Sequence, residues 1–140
     1  MSRILGLDVG DKTIGVAVSD ELGWTAQGVT TLKRENTTHD LNAVVQLVDT
    51  YAAGEVVVGL PKHMNNSLGT QAQKALTFAR ALENLLPNIP VTLWDERLST
   101  STANRVLIDA DLSRKKRKRV VNTLASVVIL QSYLDAKAMK

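Results

Sequence analysis

The sequence predicts an α/β fold: a five-stranded mixed sheet, its first three strands antiparallel and its last two parallel, flanked by helices. Two observations point there. Residues 3–33 hold three runs rich in apolar and β-branched residues with turn chemistry between them, and from residue 40 onward helical periodicity alternates with short apolar runs. No internal repeat, low-complexity tract or Pro/Gly-rich linker interrupts the 140 residues, so one domain spanning 1–140 is expected.

Arg3 to Asp8 reads as a buried strand, Gly10-Asp11-Lys12 as a turn, and Thr13 to Ser19 as the second arm of an antiparallel hairpin. A turn at Gly23-Trp24-Thr25 leads to a third strand, Gln27 to Lys33, whose Val29-Thr30-Thr31-Leu32 suits a pleated surface. Leu41, Val44, Val45, Val48 and Tyr51 keep helical spacing, with Asp40 as the N-cap and Gly54 just past the end. Val56 to Leu60, ahead of Pro61, fits a strand buried on both faces in a parallel arrangement. The polar Lys62-His63-Met64-Asn65-Asn66-Ser67 forms its exit loop.

Ala72, Ala75, Ala79, Leu82 and Leu86 define a second helix stopped by Pro87, and Pro90 to Trp94 supplies the fifth strand. Ser99 or Thr100 caps a third helix carrying Ala103, Val106, Leu107 and Ala110. The final segment, Val120 to Lys137, contains Val127-Val128-Ile129-Leu130. Its length and polar ends nevertheless make it a helix that packs against the sheet.

Composition narrows the function classes. Hydrophobic residues at 44% and charged residues at 22% exclude a disordered or fibrous chain. The absence of cysteine removes disulfides, thiolate metal sites and thiol nucleophiles, and favours a reducing, cytoplasmic setting. The N-terminus has no signal-peptide core, and no apolar stretch nears the ~18 residues of a membrane span, so no membrane partner is expected. The net charge of +3 hides a concentration: Arg114, Lys115, Lys116, Arg117, Lys118 and Arg119 are consecutive, and the rest of the chain is mildly acidic. Such a patch suits nucleic acid, because phosphate contacts supply most non-specific affinity.

Two carboxylate sites carry the chemistry. Asp8 ends an apolar strand, where a charge is costly unless it meets a cation or several donors. Asp95 and Glu96 repeat this at the exit of the fifth strand, and alternation sends them to opposite sides, so one of the two can join Asp8. Converging carboxylates form a hard oxygen site for Mg²⁺ or Mn²⁺ and imply phosphodiester hydrolysis.

The sequence resembles the YqgF family, also called RuvX. The matching residues are Gly6-Leu7-Asp8-Val9-Gly10 with Lys12-Thr13 and Gly15-Val16-Ala17, then Val58-Gly59-Leu60-Pro61-Lys62, Asp95-Glu96-Arg97-Leu98-Ser99-Thr100, and the basic run before the last helix. They run in order from residue 3 to about residue 135. The resemblance implies an RNase H-like fold, a divalent-metal nuclease site, and processing of the 5′ end of pre-16S rRNA during ribosome biogenesis. It also implies an alternative, a resolvase acting on Holliday junctions. The family's first two acidic ligands match Asp8 and Glu96. Its third, an Asp early in the last helix, is not matched: Asn122 stands there, which keeps a carbonyl oxygen and loses the charge that strengthens metal binding.

The expected partners are therefore precursor rRNA or branched DNA, together with ribosomal particles, for a monomer or a homodimer. Beside the basic run, Lys12, Lys62 and Arg97 sit at strand exits as phosphate contacts, and His63 is a surface residue. Trp24 and Trp94 adjoin strands and are expected in the core. Asp109 and Asp111 precede the basic run and have no geometric reason to join the site. Two rivals follow from other classes. One is an ATPase or sugar kinase, since Asp8-Val9-Gly10 with Thr13 resembles the phosphate loop of the actin and hexokinase superfamily, although 140 residues supply only one of the two domains needed. The other is a catalytically weak nucleic-acid-binding module of ribosome assembly, in which Asn122 has removed efficient chemistry.

Overall fold

The computed structural model describes residues 2–61, 69–95 and 114–138, with side chains in the last stretch from Thr123 onward. Three strands open the chain: β1 (Arg3–Val9), β2 (Thr13–Ser19) and β3 (Ala26–Lys33). Then come α1 (Thr37–Tyr51), β4 (Ala53–Leu60), α2 (Thr70–Leu85), β5 (Val91–Asp95) and the C-terminal α3 (Arg114–Ala138). The sheet order is β3-β2-β1-β4-β5, antiparallel through the first three strands and parallel across β1, β4 and β5, as the sequence predicts. The helix expected over 99–110 and the strand-exit loop 62–67 fall outside the described residues. Among the described residues no helix is long and apolar enough to cross a membrane.

Alternation along the strands splits the core in two. Leu5, Leu7, Val9, Ile14, Val16, Val56 and Val58 face α1 and α2, which contribute Val44, Val48, Phe78 and Leu82. On the other face Ile4, Ala17 and Val57 meet Ile129, Leu130 and Leu134 of α3. α3 lies close because the sheet beneath it is built from small residues. A Cβ on Gly28 would stand 2.7 Å from Thr123 Cγ2, and one on Gly6 would stand 2.8 Å from Leu130 Cβ. Gly6→Ala is therefore expected to overpack this interface by about 1–3 kcal/mol. The measurement is a lowered urea midpoint with an unchanged m-value, and an unchanged midpoint would contradict the close approach.

The far end of α3 is pinned by Glu55. Its carboxylate accepts bonds from Tyr133 Oη, from Thr92 Oγ1 at 2.8 Å and from Lys137 Nζ at 3.3 Å. Burial opposes the charge, but these donors hold the Glu55 carboxyl below its usual range. Burial and the bond to Glu55 push the Tyr133 hydroxyl up to about 12.

Four local expectations are corrected. α1 starts one turn early, with Asn36 as its N-cap: the Asn36 side chain accepts from the His39 N–H at 2.8 Å. Asp40, expected as the cap, is buried inside the helix instead. The helix closes on Ala52 in the left-handed conformation (φ 51°), two residues before Gly54, which lies in β4 and does not cap the helix. Trp24, expected in the core, is 73% exposed on the β2–β3 turn, whereas Trp94 is half-buried, edge-on to Tyr133 with ring centroids 5.4 Å apart. Finally, α3 opens at Arg114, so the whole basic run is helical rather than a lead-in to a helix at Val120. Lys and Arg are good helix formers and sustain the extra turns.

Candidate active site

Asp8 is the penultimate residue of β1 and is half-buried. Alternation places it, like Ile4 and Gly6, on the face that α3 covers. Its cross-strand partner on β2 is Gly15, and one step beyond the Leu7–Val58 pair the parallel register brings Gly59 of β4 alongside. Both neighbouring strands thus present glycine at the level of Asp8. One strand further out, Thr31 pairs with Gly15, and its hydroxyl bonds that of Thr123 on α3.

Asp95 lies elsewhere. It pairs with Leu60, whose side chain belongs to the core under α1 and α2, so Asp95 shares that face and not the face of Asp8. The structure therefore takes Asp95 out of direct partnership with Asp8. Glu96, Arg97, Lys62 and His63 fall outside the described residues. Asn122 lies on the α3 backbone immediately before Thr123, and its side chain is likewise outside them. Among the described residues no three of His, Cys, Asp and Glu cluster closely enough to hold a metal.

The turn after Asp8 is held by side chains that sequence reading missed. Gly10 N–H bonds Thr13 O at 2.9 Å, Arg34 Nη1 donates to Gly10 O at 2.9 Å, and Arg34 N–H donates to Lys12 O at 2.9 Å. From α2, Gln71 Nε2 reaches Val9 O at 3.4 Å and Lys74 Nζ meets Asp11 Oδ1 at 2.7 Å. The bond and charge of Lys74 hold the Asp11 carboxyl below its ordinary range.

Arg34 is itself fixed by Asp40, its Nε 3.0 Å from Asp40 Oδ2, and its guanidinium lies over the Phe78 ring at 5.6 Å. Burial works against the Asp40 charge, yet Arg34, the Glu35 N–H and His39 hold its carboxyl below the usual value. The local sequence carries one hint, a carboxylate next to a helical period, and such a residue looks the same as a cap.

Lys12 is exposed at the tip of this turn. The backbone carrying Arg114 to Arg119 begins about 6 Å and ends about 14 Å beyond Thr123 along the α3 axis. These cations occupy the first turns of a helix that has no acidic residue there, where the helix dipole opposes them.

A family model described as "RuvX: Holliday junction resolvase" matches residues 2–136. The chain belongs to the RuvX family. A Listeria innocua member named "Putative pre-16S rRNA nuclease" is 56% identical over 135 residues, covering 95% of this chain and 97% of the relative. A Clostridium acetobutylicum member of the same name is 51% identical over 134 residues, covering 96% and 98%.

The fold of this RuvX member is shared with resolvases. Thermus thermophilus RuvC, solved with a Holliday junction substrate, superposes with a TM-score of 0.61 at 13% identity, covering 97% of this chain and 96% of RuvC. The fowlpox virus resolvase, solved with junction DNA, gives 0.57 at 16% identity, covering 96% and 98%. Those identities speak to the architecture alone. Of the motif residues that the structure describes, Asp8 to Gly10, Lys12, Thr13, Leu60, Pro61 and Asp95 of the RuvX chain lie at one end of the sheet, where the C-terminal ends of β1, β4 and β5 meet the start of β2.

Proposed function

We propose that this RuvX member is a divalent-metal-dependent endonuclease that hydrolyses phosphodiester bonds in the 5′ region of pre-16S rRNA. One observation carries the chemical part: a half-buried carboxylate, Asp8, stands at the end of a central strand between two glycine neighbours, under a helix that begins with six cations. The names of the relatives support the substrate. In this reading Glu96 joins Asp8, because Asp95 lies on the other face of the sheet and the family's second acidic ligand falls at Glu96. Asn122 is the third ligand, placed on α3 next to Thr123.

Two carboxylates and an amide carbonyl are hard oxygen donors, which fit Mg²⁺ or Mn²⁺. When bound, such an ion activates the attacking water and stabilises charge on the leaving oxygen. The chain's own residues do the rest. The clamp of Arg34, Gln71 and Lys74 on the turn keeps the Asp8 carboxylate in place. Lys12, Lys62, Arg97 and the run Arg114 to Arg119 hold the phosphates of the substrate.

The test is cleavage of a pre-16S 5′ fragment and of a four-way DNA junction, each with Mg²⁺ or Mn²⁺. Cleavage of the RNA at a discrete position supports the proposal. Cleavage of the junction alone favours the second reading, a junction resolvase, which the family description and the shared RuvC architecture keep in view. RNA binding with no cleavage of either substrate favours a ribosome-assembly module. Asn122→Asp restores a third negative ligand and is expected to raise Mn²⁺-dependent cleavage; an unchanged rate removes Asn122 from the ligand set. Neutralising Arg114 to Arg117 is expected to weaken RNA binding and flatten its log–log salt slope by about 3, at ~0.7 per lost contact to a single strand. An undiminished slope would exclude the basic run from binding.

A further inference from the structure

Beside Asp8, on the same face of the sheet, α3 and the β2–β3 edge enclose a groove of about 850 Å³. That size is within the range of small-molecule sites and accommodates a nucleotide. Its chemistry is divided. Leu124 and Val127 of α3 supply an apolar wall; both are half-buried, whereas Ile129 and Leu130 further along the helix are buried. Lys12 and Lys33, both exposed, stand at the rim, and no acidic residue is among those described along the groove. Between wall and rim lie three threonines: Thr13 and Thr31 from the sheet and Thr123 from the helix.

The registers place this groove relative to Asp8. Thr13 pairs with Lys33, while Thr31 pairs with Gly15, the partner of Asp8. Two strand spacings, about 10 Å, therefore separate Asp8 from the line of Thr31. The cations call for a polyanion, and the helix that supplies the apolar wall also begins with the basic run. The apolar wall calls for an unpaired base, since a base in a duplex has its faces covered by its neighbours. The Thr13 hydroxyl can donate and accept, and the bonded Thr31–Thr123 pair keeps one donor and free acceptor lone pairs, the complement of a ribose 2′-hydroxyl that DNA lacks.

We propose that this groove is a subsite for one unpaired ribonucleotide flanking the cleaved bond. Lys12 and Lys33 contact its phosphates, Leu124 and Val127 face its base, and the threonine hydroxyls meet its 2′-hydroxyl. The position next to the cleaved bond rests on the nuclease reading above, whereas the preference for single-stranded RNA rests on the groove alone.

The experiment measures binding by fluorescence anisotropy, using full-length Asp8→Asn protein in metal-free buffer. The probes are a labelled single-stranded RNA oligonucleotide, the DNA of the same sequence, and the RNA paired into a duplex. Single-stranded RNA is expected to bind about fivefold more tightly than the DNA, the worth of one ordinary hydrogen bond. Thr123→Val closes that gap by weakening RNA alone, and Thr13→Val, outside the Thr31–Thr123 bond, does the same if Thr123→Val unfolds the helix contact. Lys33→Ala, at an exposed position, weakens both single strands and lowers the salt slope by about 0.7 while leaving the duplex less affected.

Equal affinity for RNA and DNA overturns the proposal, as does an unchanged slope in Lys33→Ala or a duplex that binds as well as the single strand. Failure of the nuclease reading appears in a separate assay: Asp8→Asn protein that still cleaves like the unsubstituted chain sinks that reading, and the binding discrimination then decides the groove independently.

Discussion

Asp8→Asn is expected to lower metal-dependent cleavage by about 10³-fold, a loss of roughly 4 kcal/mol of transition-state stabilisation at 1.36 kcal/mol per tenfold. The substitution is nearly isosteric and removes only the negative charge. Because Asp8 is half-buried, losing its charge also removes a desolvation cost, so stability should stay within about 1 kcal/mol of the native chain. The check pairs a cleavage time course across a Mn²⁺ titration with a thermal melt. Full activity in the folded variant would remove Asp8 from the site.

The second large effect is on stability. Asp40→Ala is expected to destabilise the fold by about 3 kcal/mol, because it strands the Arg34 guanidinium, whose side chain is 19% exposed against 4% for Asp40. The same pair sets a pH window. The Asp40 carboxyl is held below its ordinary 3.8 in the folded state, so its contribution is fully present above 3.8 and is lost as the pH falls through the folded value. Urea midpoints at neutral pH and below pH 4 should therefore converge between the native chain and Asp40→Ala as acid is added. A constant difference across that window would contradict the assignment. The variant should also lose activity out of proportion to its population of folded molecules, since Arg34 grips the Gly10 carbonyl two residues from Asp8.

The strands were readable because their signals are local. Thr13 to Ser19 was placed at both ends, and the parallel pair was expected from the continuous apolar run of Val56 to Leu60. The start of α1 was not readable from periodicity, because its first turn, Thr37 to His39, faces solvent and the apolar period begins only at Leu41. A capping asparagine and a buried aspartate four residues later look alike in sequence. The exposure of Trp24 is hidden from the sequence for a related reason. Lying next to a strand says nothing about which way a turn projects. Here Asp20 Oδ1 accepts from the Trp24 N–H at 2.7 Å, and Gln131 Nε2 reaches Trp24 O at 2.9 Å, holding the indole outside the core.

For the candidate site the division falls between residue type and residue partnership. The motif around Asp8, the doublet Asp95-Glu96 and the cations at 114–119 are chemical identities, visible along the chain without any coordinates. The sequence by itself determined the family, the order of the described strands and helices, and the requirement that only one of Asp95 and Glu96 can face Asp8. Tertiary structure alone decided that Asp95 is the one turned away, because only the pairing of β4 with β5 relates its side chain to that of Leu60. It alone brought Arg34, Gln71 and Lys74 onto the turn beyond Asp8, and Thr123 onto Thr31 across 92 residues of chain. Such contacts depend on how sheet and helices pack, and no spacing along the sequence encodes that distance.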